Sequence, residues 1–286
     1  MPLSEALAAE LAAAWACRER TGGAFEPALG PLVAAWDLRA GGRRPREREL
    51  AAARAASGAR AFQLGPGSAA TRLHPGAALE EGGFGKGAGL DRAADALTGR
   101  VAFARLDLGG QVLLVGDGRP VELAVADPRE RQRAAVALRI EHGSLATSGN
   151  SERGGRPEGR PVGHLLDPRT GRPAPDFGSV TVWAPSALAA DCLSTGLFVL
   201  GPAGALAFAE RDPEVGVLVL EPAGAGVRAR VAGALRGRVH PLRAGVRLEE
   251  LSSAPLGPAQ STSSLPPSGA GPTGARAAFP IEGAVR

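Results

Sequence analysis

An α+β fold, with a mixed and mostly antiparallel sheet flanked by helices, is the architecture this 286-residue sequence predicts. Three observations carry that reading. Apolar residues recur every four positions at Leu3, Leu7, Leu11 and Trp15, the period of one helix face. The middle of the chain holds consecutive β-rich runs parted by glycine turns, VAFARLDL (101–108), QVLLVG (111–116) and PVELAVA (120–126), the pattern of an antiparallel meander. A long apolar segment, SALAADCLSTGLFVLG (186–201), then lies between two further strand-like runs.

The first helix is expected to break at Thr21-Gly22-Gly23. Pro27 to Trp36 read as a second, short helix, since proline is tolerated in a first helical turn. Residues 40–48 are a loop of Gly, Arg and Pro, ELAAARAA (49–56) is a third helix, and short strands are expected near 60–64 and 70–74. From Gly82 to Gly89 five glycines surround Phe84, Lys86 and Ala88, a loop that feeds the helix formers of LDRAADAL (90–97). Strands follow near 135–140, 144–148, 162–166 and in SVTVWAP (179–185). Ser186 is placed as the N-cap of the next helix and Gly201 as its stop. VGVLVLEP (215–222) is a late strand. Beyond Leu251 Ser, Pro, Gly and Ala dominate and cannot repay the entropy of ordering, so one domain over 1–251 and a disordered tail over 252–286 are expected.

Composition removes several function classes. A hydrophobic fraction of 44% with 22% charged residues is that of a folded soluble chain. The pI near 10.2 accompanies a formal net charge of only +4, with Arg interleaved among Asp and Glu and no basic run mixed with aromatics. That weak electrostatic footprint argues against nucleic acid. Cys17 and Cys192 show no C-x-x-C spacing, which fits buried thiols or a reduced compartment, and no zinc set is present. The N-terminal residues carry Glu5 and Glu10 and lack the basic start and apolar run of a secretory signal, so the chain as written reads as cytoplasmic. No run of ~20 uninterrupted apolar residues predicts a membrane span.

Chemistry-bearing residues gather in two regions. Asp191 and Thr195 are at i and i+4, on one face of the 186–201 helix, where a carboxylate and a hydroxyl can offer hard oxygens to one Mg²⁺ ion. Spacing alone favours a solvated charge beside a packed hydroxyl, since such pairs are common on helix surfaces. His164 ends a short strand before Leu165, Leu166 and Asp167, where a histidine serves either structure or, as neutral imidazole, base chemistry near pH 7. Lys86 in GGFGKG is followed by Gly87 where a Walker motif requires Ser or Thr, although glycines leading into a helix still present amides to an anion. No Gly-x-Ser-x-Gly elbow surrounds Ser144, Ser148 or Ser151. His74, His142 and His240 have no ligand partners at metal spacing.

The stretch ATSGNSERGGRPEGRPVGHLLDPRTGRPAP (146–175) followed by SVTVWAPSALAADCLSTGLFVLGP (179–202) resembles the signature of the ApbE-like FAD:protein FMN transferases. The shared features are a Ser-Gly turn, a His ahead of an Asp-Pro-x-Thr-Gly turn, a strand, and a helix bearing Ala-Asp-x-x-x-Thr. TGGAFEPALGPLVAAW (21–36) and LEEGGFGKGAGLDRAAD (79–95) resemble two further blocks of that family. The resemblance implies a T-fold-like α+β domain and a Mg²⁺-dependent transfer of FMN from FAD to a Thr or Ser hydroxyl of an acceptor flavoprotein, with release of AMP. It implies metal ligation by Asp191, Thr195 and the Gly83 carbonyl, His164 as base, and FAD contacts at Ala24, Phe25, Glu26, Glu80, Lys86 and Leu166. Asp167, Pro168, Thr170 and Gly171 are expected to build the turn that aims His164. A noncatalytic FAD-binding relic and a Mg²⁺-dependent FAD pyrophosphatase are the alternatives on the same site.

Family members usually begin with a Met-Gly-Thr strand upstream of the block at Thr21, and are often exported or periplasmic. The expectation is therefore a domain that lacks its first strand. Glu26 and Glu80 stand where the family usually has aspartate, Ala28 where it often has threonine, and Gln111 where aspartate is common. A longer carboxylate moves its oxygens by about one bond length, which matters in a positioned site.

Overall fold

The computed structural model describes residues 2–65, 68–150, 154–155 and 162–251. The expected tail, 252–286, and part of the 146–175 motif lie outside the described residues. Among the described residues there are five α-helices: α1 (Glu5–Arg20), α2 (Gly30–Ala35), α3 (Glu47–Ala55), α4 (Gly85–Leu97) and α5 (Ala187–Arg211). The strands are β1 (Phe62–Gly65), β2 (Ala69–Arg72), β3 (Phe103–Leu108), β4 (Gln111–Gly116), β5 (Val121–Asp127), β6 (Glu130–Ile140), β7 (Gly143–Gly149), β8 (Gly154–Gly155), β9 (Val162–Gly163), β10 (Leu166–Asp167), β11 (Arg172–Pro173), β12 (Ser179–Ala184), β13 (Gly216–Ala223), β14 (Gly226–Gly233), β15 (Val239–Pro241) and β16 (Val246–Glu250).

Among the described residues the main sheet runs β16-β14-β13-β12-β7-β4-β3, antiparallel throughout except for β14 against β16. A second sheet, β15-β6-β5, covers one face of it. The layering follows from strand alternation. In β13, Val217 and Val219 join the core beneath α5, whereas Leu218 and Leu220 join the core shared with Leu123, Val136, Leu138 and Ile140 of the second sheet. The main sheet is thus a slab packed on both faces, helices on one side and sheet on the other.

Local signals place most elements, and the differences have physical causes. Ser4 caps α1 through its hydroxyl, which accepts from the Leu7 N–H at 3.2 Å. The buried face of α1 is Leu11, Ala14 and Cys17, with Leu7 exposed, because a strict four-residue spacing drifts around a 3.6-residue helix. The glycine-rich segment expected as a loop is helical from Gly85. One of its glycines is needed for contact: a Cβ on Gly87 would lie 2.3 Å from the Ala187 carbonyl oxygen of α5. Gly201 does leave helical geometry, at φ 75°, but Pro202 then starts a further helical stretch to Arg211 that buries Ala205, Leu206 and Phe208. β14, β15 and β16 were not expected from the sequence. In β14, Arg228 is exposed between buried Val227 and Ala229. α5 is long and apolar enough to cross a membrane, yet 61% of its most apolar window is buried within the fold, against β7, β12 and α1.

Asp91 of α4 fixes the start of α5. Its carboxylate accepts from the Ser186 hydroxyl at 2.8 Å and from the Ala187 and Leu188 N–H groups at 2.8 and 2.9 Å. An anion at a helix N-terminus pairs with otherwise orphaned donors and the positive end of the dipole. Asp91→Ala is expected to destabilise the fold by about 1–2 kcal/mol, a fall in Tm of roughly 2–8 °C. Gly87→Val is expected to cost more, since its branch would enter the α4–α5 crossing, with a loss of at least ~3 kcal/mol. Thermal unfolding followed by circular dichroism checks both.

Candidate active site

A cavity of about 230 Å³ lies between α5, α4, the end of β7 and the segment 24–39. All ten residues singled out from the sequence line it: Ala24, Phe25, Glu26, Glu80, Gly83, Lys86, His164, Leu166, Asp191 and Thr195. Residues from four separate stretches thus meet in one place, and Glu26, Glu80, Lys86 and Asp191 arrive with their side chains already engaged.

Asp191 is the centre of the polar wall. It is 3% exposed, one turn into α5, and its two oxygens are held from α4. Lys86 Nζ donates to Oδ1 at 2.8 Å, and the Gly87 N–H donates to Oδ2 at 3.1 Å. Thr195, one turn further along the same helix face, approaches Gly83: a Cβ on that glycine would lie 3.3 Å from Thr195 Oγ1 and 3.0 Å from the Phe25 ring. Gly196 admits the Thr21–Phe25 loop in the same way, its Cβ position being 2.9 Å from both Phe25 Cβ and Thr21 Cγ2. The donor set available here is one buried carboxylate, one hydroxyl and backbone carbonyls. These are hard oxygens that suit Mg²⁺ when waters or phosphate oxygens complete its shell, and the buried carboxylate already faces a cationic group. The residues therefore fit such an ion. Among the described residues no group of three or more His, Cys, Asp or Glu forms an alternative metal centre.

The strand β7 adds hydroxyls that the sequence reading left without a role. Ser144, Ala146 and Ser148 alternate toward α5, and Ser148 Oγ shares a 2.9 Å hydrogen bond with Ser194 Oγ and lies 3.5 Å from Thr195 Oγ1. Ser194 in turn donates to the Asp191 carbonyl at 2.9 Å. Period-two alternation through the Ala-Thr-Ser-Gly segment is the signal that pointed there. Gln111, the residue standing where aspartate is common, is 2% exposed and donates to the Ala187 carbonyl at 2.7 Å and to Ser144 Oγ at 3.2 Å. It braces the start of α5.

Glu26 lines the cavity, but its carboxylate accepts from Arg18 Nε at 2.6 Å and from the Ala28 N–H at 3.0 Å. It holds the shape of its own loop. Glu80 sits at the rim, paired with Arg39 Nη2 at 2.9 and 3.1 Å, and Arg39 also bonds Glu81 at 2.8 Å. The Glu81 backbone N–H and the Arg39 guanidinium hold the Glu81 carboxyl below its ordinary value. Leu29, Val33 and Leu38 complete an apolar wall beside Phe25. That wall became visible only once α2 folded back over the loop.

His164 lies half-buried between β9 and β10 and lines the cavity on the side of Leu165, Leu166 and Pro168. The turn behind it is tightly built. Asp167 accepts from the Arg169 N–H at 2.9 Å and from its Nε at 2.8 Å, and the Gly171 N–H donates to the Asp167 carbonyl at 2.7 Å. Burial alone would raise the Asp167 carboxyl, yet the Arg169 contacts leave it below its ordinary value. Trp36 Nε1 donates to the Gly171 carbonyl at 2.8 Å and Arg54 reaches the Arg169 carbonyl at 2.9 Å, which ties the turn to α2 and α3. Leu32, Trp36, Leu50, Val162 and Leu166 form a separate small core under it.

Comparison with known proteins agrees with this fold. The sequence pattern of the ApbE family matches residues 1–219. A FAD:protein FMN transferase of Vibrio cholerae is 33% identical over 210 residues, 70% of this chain and 62% of that protein. One from Rhodobacter capsulatus is 35% identical over 195 residues, 65% of this chain and 36% of that protein. The chain thus spans less than two thirds of the length of these relatives. The crystal structure of an ApbE protein from Thermotoga maritima superposes with a TM-score of 0.70 at 30% identity, covering 77% of this chain and 74% of that one. The flavin transferase ApbE from Vibrio cholerae superposes with a TM-score of 0.69 at 26% identity, covering 83% and 78%. With its family pattern matched over residues 1–219 and its fold shared with solved ApbE structures, this chain belongs to the ApbE family.

Proposed function

We propose that the chain is an FAD:protein FMN transferase that moves FMN from FAD to a Thr or Ser hydroxyl of an acceptor flavoprotein. The observation that carries the reading is the meeting, in one cavity, of the buried Asp191 with Thr195 on one side and His164 on the other, beside the apolar wall of Phe25, Leu29 and Val33. The apolar wall suits a flat aromatic ring, and the amides and ammonium at the start of α4 suit a pyrophosphate. Asp191, Thr195 and the Gly83 carbonyl would hold Mg²⁺, which when bound neutralises charge on phosphate oxygens.

His164 takes the proton of the acceptor hydroxyl as that oxygen attacks the FMN phosphorus. The P–O bond to AMP breaks and AMP leaves with the electron pair. The turn pinned by Trp36 and Arg54 keeps the imidazole at a set distance from the polar wall, which is the positional requirement of base catalysis.

Purified protein mixed with FAD, Mg²⁺ and a protein substrate bearing a flavinylation site should yield covalent FMN and AMP in equal amounts, read by mass spectrometry and chromatography. AMP formed equally well without acceptor marks a pyrophosphatase, and bound FAD with neither product marks a noncatalytic flavin binder. His164→Ala should lower transfer by about 10²–10⁴-fold while leaving FAD binding, measured by flavin fluorescence, within about threefold of the parent. Asp191→Asn should abolish transfer, and chelation by EDTA should do the same reversibly.

A further inference from the structure

Lys86 is the only lysine in the 286 residues, and its ammonium sits against the group expected to bind the metal. Nζ lies 2.8 Å from Asp191 Oδ1 and 3.5 Å from the Gly82 carbonyl oxygen, which precedes Gly83. A carboxylate whose side chain is only 4% exposed requires a counter-charge. The lysine supplies one, using a carboxylate and a backbone carbonyl, the same oxygen types that a divalent cation takes. Two cations on one carboxylate oxygen repel, so metal and ammonium exclude each other at Oδ1.

The ammonium has somewhere to go. Its side chain is 35% exposed and lines the cavity, its stem passes the Gly109–Gly110 turn, where a Cβ on Gly109 would lie 3.6 Å from Lys86 Cδ, and its four-carbon stem allows several positions. We propose that Lys86 is a displaceable counter-ion: it neutralises Asp191 until a divalent cation takes the carboxylate, and its ammonium then turns to the dinucleotide pyrophosphate in the same cavity. The inference rests on the metal and FAD reading given above. It makes metal and FAD binding mutually supportive, because the cation releases the lysine that the dinucleotide uses.

Three measurements other than turnover test it. Mn²⁺ titrated into the protein without FAD, with free ion read by electron paramagnetic resonance, should bind Lys86→Met about fivefold more tightly than the parent, the scale of one partly exposed competing ion pair. With Mn²⁺ saturating, the same variant should bind FAD at least about tenfold more weakly, the loss of a charged phosphate contact. In the parent, reductive methylation of Lys86, followed by peptide mass spectrometry at fixed pH, should speed up several-fold with Mg²⁺ alone and fall below the metal-free rate with Mg²⁺ and FAD. Unchanged or weaker Mn²⁺ binding by a Lys86→Met variant with parental circular dichroism overturns the proposal. If that variant does not fold, a parental methylation rate indifferent to Mg²⁺ overturns it instead. A parent that binds no Mn²⁺ and transfers FMN after EDTA treatment overturns the metal reading itself, which separates the two failures.

Discussion

The contact on which the site depends is the one between Asp191 of α5 and the first turn of α4. It is half of an exchange. Asp191 receives the Gly87 N–H of α4, while Asp91 of α4 receives the Ala187 and Leu188 N–H groups of α5. Each helix start is therefore met by the other helix's carboxylate, which satisfies orphaned donors and opposes the dipole's positive end. The exchange requires backbone-to-backbone approach, and Gly87 provides it by having no side chain where the Ala187 carbonyl and Leu188 Cα lie. Lys86 and Gly83 are carried into place by the same crossing.

Rigidity behind that crossing comes from the main sheet. β12 and β13 are buried on both faces, so the helix layer that includes α5 rests on a slab with close-packed side chains above and below. β7 leaves Ser148 at the edge of this packing, where its hydroxyl links to Ser194 and approaches Thr195. A hydroxyl chain of this kind orients lone pairs at little cost in charge.

The opposite wall is organised by a separate small core. Trp36 and Arg54 of the α2–α3 unit hold the 167–171 turn by its carbonyls, and Leu32 and Leu166 pack between them. The turn that follows His164 is thus held by contacts from α2 and α3. The cavity lies between two independently packed bodies of side chains, which is how a loop histidine acquires a defined position.

Much of this was legible in the sequence because it depends on short-range rules. Strand runs between glycine turns, the Ser186 cap, the non-helical Gly201 and the Asp-Pro-x-Thr-Gly turn are each set by a few neighbouring residues. The ordered motifs also brought ten of the cavity-lining residues to notice, and the 3.6-residue period puts two of them, Asp191 and Thr195, on one face. Tertiary structure decided the rest. Whether the glycines of 82–89 form loop or helix depended on α5 passing within contact of Gly87. Whether Glu26 reaches the cavity with a free carboxylate depended on Arg18, and the apolar wall of Leu29, Val33 and Leu38 exists only because α2 folds over the loop. Local propensity fixes which backbone a few residues adopt; which charge neutralises which, and which face is covered, is settled by partners far away in the chain.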